Sequence, residues 1–137
     1  MTPPPILVLV EPQDLVNIAA CVRVAKNFGL TDVRLVNPRE YDAWRVEGIA
    51  HNTADILARL RIVSSLDEAL ADCVYALALT ARERRAKRSM LRPRAGAETL
   101  VHRGEDGPVA LVAGREDKGL TNEELDRCHA LVTIPTN

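Results

Sequence analysis

Residues 109–125, Val-Ala-Leu-Val-Ala-Gly-Arg-Glu-Asp-Lys-Gly-Leu-Thr-Asn-Glu-Glu-Leu, constrain the fold of this chain more than any other stretch. Val109 through Ala113 form an unbroken apolar run, which suits a strand covered on both faces. Gly114 and Gly119 allow a tight backbone path and close approach to a ligand. Thr121 with Glu124 three residues on has capping-box spacing and predicts a helix start. A strand whose carboxyl end runs through a glycine-bounded loop into a helix is where open α/β sheets bind ligands.

The segment stops one letter short of a phosphate-binding P-loop. Gly114 and Gly119 have the spacing, but Leu120 stands where the lysine for the β- and γ-phosphates belongs, and Lys118 is out of register. That argues against a P-loop NTPase.

The remaining chain repeats the strand–helix alternation. Strands are predicted at Ile6–Val10, Val33–Val36, Arg61–Val63, Val74–Leu79, Val109–Ala113 and Leu131–Ile134. A helix over Val16–Phe28 carries the stripe Ile18, Cys21, Val22, Ala25 and Phe28 and closes at Gly29. A second helix is predicted over Glu47–Leu60, and Ser65 with Glu68 opens a third. Strands separated by helices mean a mainly parallel sheet, and 137 residues make one domain. Leu131–Ile134 reads as an interior strand that calls for a following element.

Between the strands at Val74–Leu79 and Val109–Ala113 lies a long, weakly patterned connection. It holds Arg82, Arg84, Arg85, Lys87, Arg88, Arg92 and Arg94 against a single opposing Glu83 in their midst. Such a loop is a solvated surface or a phosphate-contacting arm. With a net charge of −1, attraction to nucleic acid has to be local, and this is the one place for it. Cys21, Cys73 and Cys128 are widely spaced and odd in number, and His51, His102 and His129 lack metal-ligand spacing. Neither a disulfide framework nor a metal site is therefore expected, and a reduced cytoplasmic setting fits. No apolar run approaches the roughly 20 residues of a membrane span. Met1–Pro5 has no basic flank and does not read as a signal peptide.

Asn17-Ile18-Ala19-Ala20-Cys21-Val22-Arg23, Lys26-Asn27-Phe28-Gly29-Leu30 and Leu35-Val36-Asn37-Pro38-Arg39 together resemble the first motif of the SpoU/TrmH-type SPOUT RNA methyltransferases. Thr80-Ala81-Arg82 is similar to the turn after their fourth strand, and Leu111–Leu125 to their second motif. Cys128-His129 and Ile134-Pro135-Thr136-Asn137 match the stretch that comes after that motif in the family. The likeness is greatest to the branch acting on anticodon-loop nucleotides of tRNA, of the position-32 type.

The resemblance implies an α/β-knot fold, a homodimer, and S-adenosylmethionine-dependent methylation of a ribose 2′-hydroxyl in RNA, tRNA ahead of rRNA. It makes Arg23, Asn17 and Glu116 catalytic-site residues and places the cofactor on Leu79, Thr80, Ala81, Gly114 and Ile134. Arg82, Arg84, Arg85, Lys87 and Arg88 would hold RNA. No metal is implied. Taken singly, Asn17 could be a plain helix N-cap, and Glu116 a surface carboxylate paired with Arg115 or Lys118. Arginine is effectively always protonated, so Arg23 suits stabilisation of a developing alkoxide better than proton abstraction.

The chain departs from the family at Val16 and Ala19, where glycines are usual, and at Ala78-Leu79, which replaces a Gly-Thr-like pair. The family also continues into a third motif and a C-terminal helix that complete the knot. Residues 1–137 are accordingly read as a single SPOUT domain truncated before the third motif. A catalytically impaired RNA-binding relative and a flavodoxin-like small-molecule protein stand as alternatives.

Overall fold

The computed structural model describes residues 3–80 and 89–133. Their strands are β1 (Ile6–Val10), β2 (Val33–Val36), β3 (Arg61–Val63), β4 (Tyr75–Thr80), β5 (Ser89–Leu91), β6 (Val109–Ala113) and β7 (Ala130–Thr133). All are parallel to their neighbours, in the order β3-β2-β1-β6-β4-β7-β5. Every residue of β1 and β2 is buried, as strands covered on both faces must be, Arg34 of β2 among them. Strands β1 to β3 build toward one edge and β4 to β7 lie on the other side. The winding therefore reverses between β1 and β6.

Helices α1 (Leu15–Asn27), α2 (Ala43–Ile49) and α3 (Ala54–Arg59) cover one face, where Ile18, Ala19, Val22 and Ala25 of α1 meet Leu7, Leu9, Val33 and Leu35. Helix α5 (Pro93–Arg103) sets Leu100 against Leu77 and Val132 farther along the sheet. Helices α4 (Leu66–Leu70) and α6 (Asn122–Leu125) cover the opposite face, packing on Val8, Val10, Ala110 and Val112. Each fully buried Ile, Leu or Val here contributes about 1.5–3 kcal/mol. Helix α1 runs into Gly29, whose φ of +75° ends it as predicted.

Two expectations need correction. The helix expected over Glu47–Leu60 is two helices. Asp42 caps α2 by accepting the Trp44 and Arg45 N–H groups, and between α2 and α3 the Thr53 hydroxyl donates to the Ala50 carbonyl. Asn52 takes a φ of +65° there, which asparagine tolerates better than most residues. The patternless connection before β6 contains β5 and α5. Helix α5 buries only Gly96 and Leu100, so it leaves no apolar stripe to read. A Cβ at Gly96 would collide with Val132 and press on Leu77 at 3.1 Å, so the glycine is what lets α5 settle on the sheet. Helix α4 opens at its cap Ser65 as expected, and only the return bond differs from a capping box, because the Glu68 carboxylate takes the Ser64 N–H at 2.9 Å. Strand β7 is interior, between β4 and β5, and starts one residue earlier than expected.

One buried charge fastens the far side of the sheet. Arg34 on β2 is 3% exposed. It donates to the Ala69 carbonyl at 2.7 Å, to both Asp72 oxygens at 2.6 and 3.0 Å, and to both Asp32 oxygens at 3.2 and 3.1 Å. The hydrogen-bonded guanidinium holds the Asp72 carboxyl down at about 2, and Asp72 in turn raises Arg34. Nothing in Val-Arg-Leu-Val signals this role.

Candidate active site

Strand β1 ends at Val10 and turns through Glu11, whose φ is +49°, into Pro12, Gln13 and the cap of α1. That cap is Asp14, whose carboxylate accepts the Val16 N–H at 2.8 Å. Asn17 is therefore not the N-cap; it lies inside the first turn, its side chain exposed. Facing it, β6 runs into Gly114. A Cβ there would strike the Gly119 and Leu120 backbone, because the loop folds back on itself through the Gly119 N–H to Arg115 carbonyl bond of 2.8 Å. The closure of the loop, rather than a ligand, demands glycine at 114. Thr121 and Glu124 form the full predicted capping box.

The two turns meet. Both Glu116 oxygens accept the Gln13 backbone N–H, at 2.9 and 3.2 Å. Arg115 pairs instead with Asp117 through two bonds of 3.0 Å, so the alternative of a plain surface pair between Glu116 and Arg115 is not what forms.

Between the turns is a cleft of about 130 Å³, walled by Leu9, Pro12, Ile18 and Ala113 and edged by Asn17, Cys21, Gly114 and Glu116. It occupies the reversal point between β1 and β6, at the carboxyl ends of the strands. Burial, and secondarily the Glu116 charge, raises the Cys21 thiol. A larger hollow of about 330 Å³ opens between the starts of α4 and α6, lined by Glu11, Asn37, Asp67, Thr121 and Arg127 among others. It touches none of the site residues expected from sequence.

Arg23 is on α1 but not in the cleft. At 100° per residue it stands roughly 120° around the helix from Asn17. It is exposed and forms no ion pair with any described residue. Leu79 and Thr80 are half-buried at the end of β4 and pair with Val132 and Thr133 of β7. On the other side Ala78 pairs with Val112, which brings Gly114 level with Thr80. Ala81, Arg82, Arg84, Arg85, Lys87, Arg88 and Ile134 lie outside the described residues. Of the departures from the family pattern, Val16 is 57% exposed and crowds nothing, while Ala19 and Ala78 are fully buried in the packing. Sequence reasoning missed Gln13, which contributes a main-chain group and so leaves no side-chain signal, and treated Cys21 as simple core.

A cleft at the reversal point of an open parallel sheet, built from a helix start and a glycine loop, defines a ligand-binding α/β domain. The chain belongs to the SpoU rRNA methylase family, whose pattern matches residues 4–137. The tRNA (cytidine/uridine-2'-O-)-methyltransferase TrmJ of Photorhabdus laumondii is 39% identical over 131 residues, 96% of this chain and 54% of the relative. Among solved structures, a probable methylase family protein of Haemophilus influenzae Rd KW20 has a TM-score of 0.90 at 36% identity, covering 100% of this chain and 57% of that one. TrmJ from Z. mobilis ZM4 has a TM-score of 0.88 at 31% identity, covering 98% and 59%. The chain spans about half the length of the curated relatives it matches. Family membership removes the flavodoxin-like alternative.

Proposed function

We propose that this chain is the methyltransferase domain of an enzyme that transfers a methyl group from S-adenosylmethionine to a ribose 2′-hydroxyl of tRNA. The observation that carries this reading is the meeting of Asn17, Gly114 and Glu116, from separate motifs, on one cleft at the winding reversal. The relatives named for 2′-O-methylation of tRNA supply the substrate class.

The cleft is small beside the 300–1,000 Å³, roughly, of a whole-ligand pocket, and suits a sugar. The cofactor's place is then along the neighbouring strand ends. Leu79 offers an apolar wall there, and Thr80 and Gly114 offer main-chain groups, a set that fits a nucleoside-containing cofactor; Ala81 and Ile134 complete it in this reading. When bound, S-adenosylmethionine supplies an electrophilic methyl group. The chain's own task is to hold the ribose oxygen in line and stabilise its growing negative charge. Asn17 orients the sugar, and the Arg23 guanidinium stabilises the alkoxide and grips the adjacent phosphate in two-pronged fashion.

Because Arg23 points away from its own cleft, it serves the cleft of a second copy, which makes the enzyme a homodimer. Val16 and Val24 on α1 and Phe28 at its C-cap, respectively 57%, 52% and 78% exposed, supply apolar surface along the helix for such a contact. The cations from Arg82 to Arg88 act as the RNA-holding arm. Supporting this, the start of α5, a few residues downstream, has no side-chain cap among the described residues and carries exposed Arg92 and Arg94, an end suited to phosphate. Such an enzyme works on tRNA in the cytoplasm. Mass-spectrometric mapping of nucleosides from cells with and without the gene tests the reading. Loss of one 2′-O-methylated tRNA nucleoside, restored by the gene, is expected. An unchanged map overturns it in favour of a non-catalytic RNA-binding relative.

A further inference from the structure

The Glu116 carboxylate sits in the cleft, yet both its oxygens converge on one main-chain N–H, that of Gln13. That shared bond ties the carboxylate to the turn that launches α1. The same turn is tied at other points: Glu11 N–H donates to the Val36 carbonyl at 2.7 Å, the Gln13 amide Nε2 to the Glu11 carbonyl at 2.7 Å, and Arg39 N–H to the Pro12 carbonyl at 3.0 Å. Those bonds stay on the β1–β2 side of the sheet. Among the described residues only the Glu116 bond crosses to the loop after β6, and Glu116 is two residues beyond Gly114.

We propose that Glu116 is a positioning residue, not a proton carrier: it pins the β6 loop to the start of α1, so that Asn17 and Gly114 stand at a fixed separation across the cleft. Its chemistry here is that of an acceptor for a main-chain donor, and a neutral amide at position 116 keeps an acceptor oxygen for the same N–H. The activity arm of the test rests on the methyltransferase reading; the exchange arm does not.

The experiment compares wild type, Glu116→Ala and Glu116→Gln by hydrogen exchange at the Gln13 amide and by kcat on tRNA across pH. Glu116→Ala should expose the Gln13 amide to fast exchange and lower kcat by about a hundredfold, the scale of a small misplacement in an organised site. Glu116→Gln should keep the amide protected, recover most of that activity and leave the shape of the pH profile unchanged. A Glu116→Gln enzyme as inactive as Glu116→Ala, with its Gln13 amide still protected, overturns the proposal and makes Glu116 a proton carrier. An amide that exchanges equally in all three proteins also overturns it. Wild type inactive toward tRNA, with the exchange pattern as expected, leaves the pin standing and sinks only the methyltransferase reading.

Discussion

Arg23 and Arg34 occur in nearly the same local sequence, Cys-Val-Arg-Val and Val-Arg-Leu-Val, and lead opposite lives. Arg34 is enclosed on a strand with two carboxylates and a carbonyl saturating its donors. Arg23 stands in the open on a helix, without an ion pair among the described residues. A guanidinium whose donors are all engaged by its own fold has nothing left for a substrate. One whose donors are free costs the fold little and is available to a phosphate or an alkoxide.

Removing each arginine should separate the two roles cleanly. Arg34→Ala leaves Asp32, Asp72 and the Ala69 carbonyl without their partner and should cost roughly 3 kcal/mol of stability in a urea titration, the low end for breaking a buried pair because the aspartates reach solvent. A loss under about 1 kcal/mol, no more than a surface pair is worth, would dissolve the contrast. The same cluster gives a pH signature. Asp72 is depressed from 3.8 to about 2 in the folded state, so its stabilisation is full above pH 3.8 and is lost as pH falls through about 2. Arg34→Ala should remove that part of the acid unfolding limb.

Arg23→Ala should do the reverse. Turnover should fall about a hundredfold, the scale for removing one electrostatic stabiliser, with the urea midpoint and cofactor affinity nearly unchanged. Near-normal turnover would strike Arg23 from the site. A smaller effect extends the comparison to the cations outside the described residues. Replacing Arg84, Arg85, Lys87 and Arg88 with alanine should flatten the salt dependence of RNA binding by about 0.7 in log–log slope for each phosphate no longer held. An unchanged slope would class them as solvated charge. The smallest effect concerns the cleft. Taking away the Glu116 charge relieves the lesser of the two causes that raise the Cys21 thiol, so Glu116→Gln should speed its alkylation at fixed pH by up to a few-fold. No change would mean that the carboxylate and thiol do not sense each other.

Apolar continuity explains what can be read ahead of the structure. Ile6–Val10 and Val109–Ala113 announce buried parallel strands because nothing polar interrupts them, Val33–Val36 does so in spite of Arg34, and Thr121 with Glu124 announces a helix because both capping bonds are local. What escapes such reading depends on contacts distant in sequence or on local turns that carry no apolar pattern. Helix α5 is held by one glycine fitting against Val132, and the break between α2 and α3 by a hydroxyl and a left-handed asparagine. At the site, the family resemblance implies Asn17, Gly114 and Glu116 as neighbours, and they line one cleft. That Glu116 holds a main-chain N–H depends on how two turns dock, whereas the cap of α1 by Asp14 rather than Asn17 is a local bond to the Val16 N–H.

The pairing of β1 with β6 joins Ile6 to Ala110 across roughly a hundred residues, so among the described strand pairings closing that contact carries the heaviest loop entropy. As the chain is synthesised, β1, α1, β2 and β3 can assemble early, while the free side of β1 waits for β6 to emerge. The cleft forms only when β6 docks, since one of its walls arrives with that strand. The same long closure predicts slow folding for a domain of this size. Until it is complete, β1 presents a bare, wholly apolar edge, and this is the moment at which a nascent chain is most exposed to pairing with the wrong neighbour.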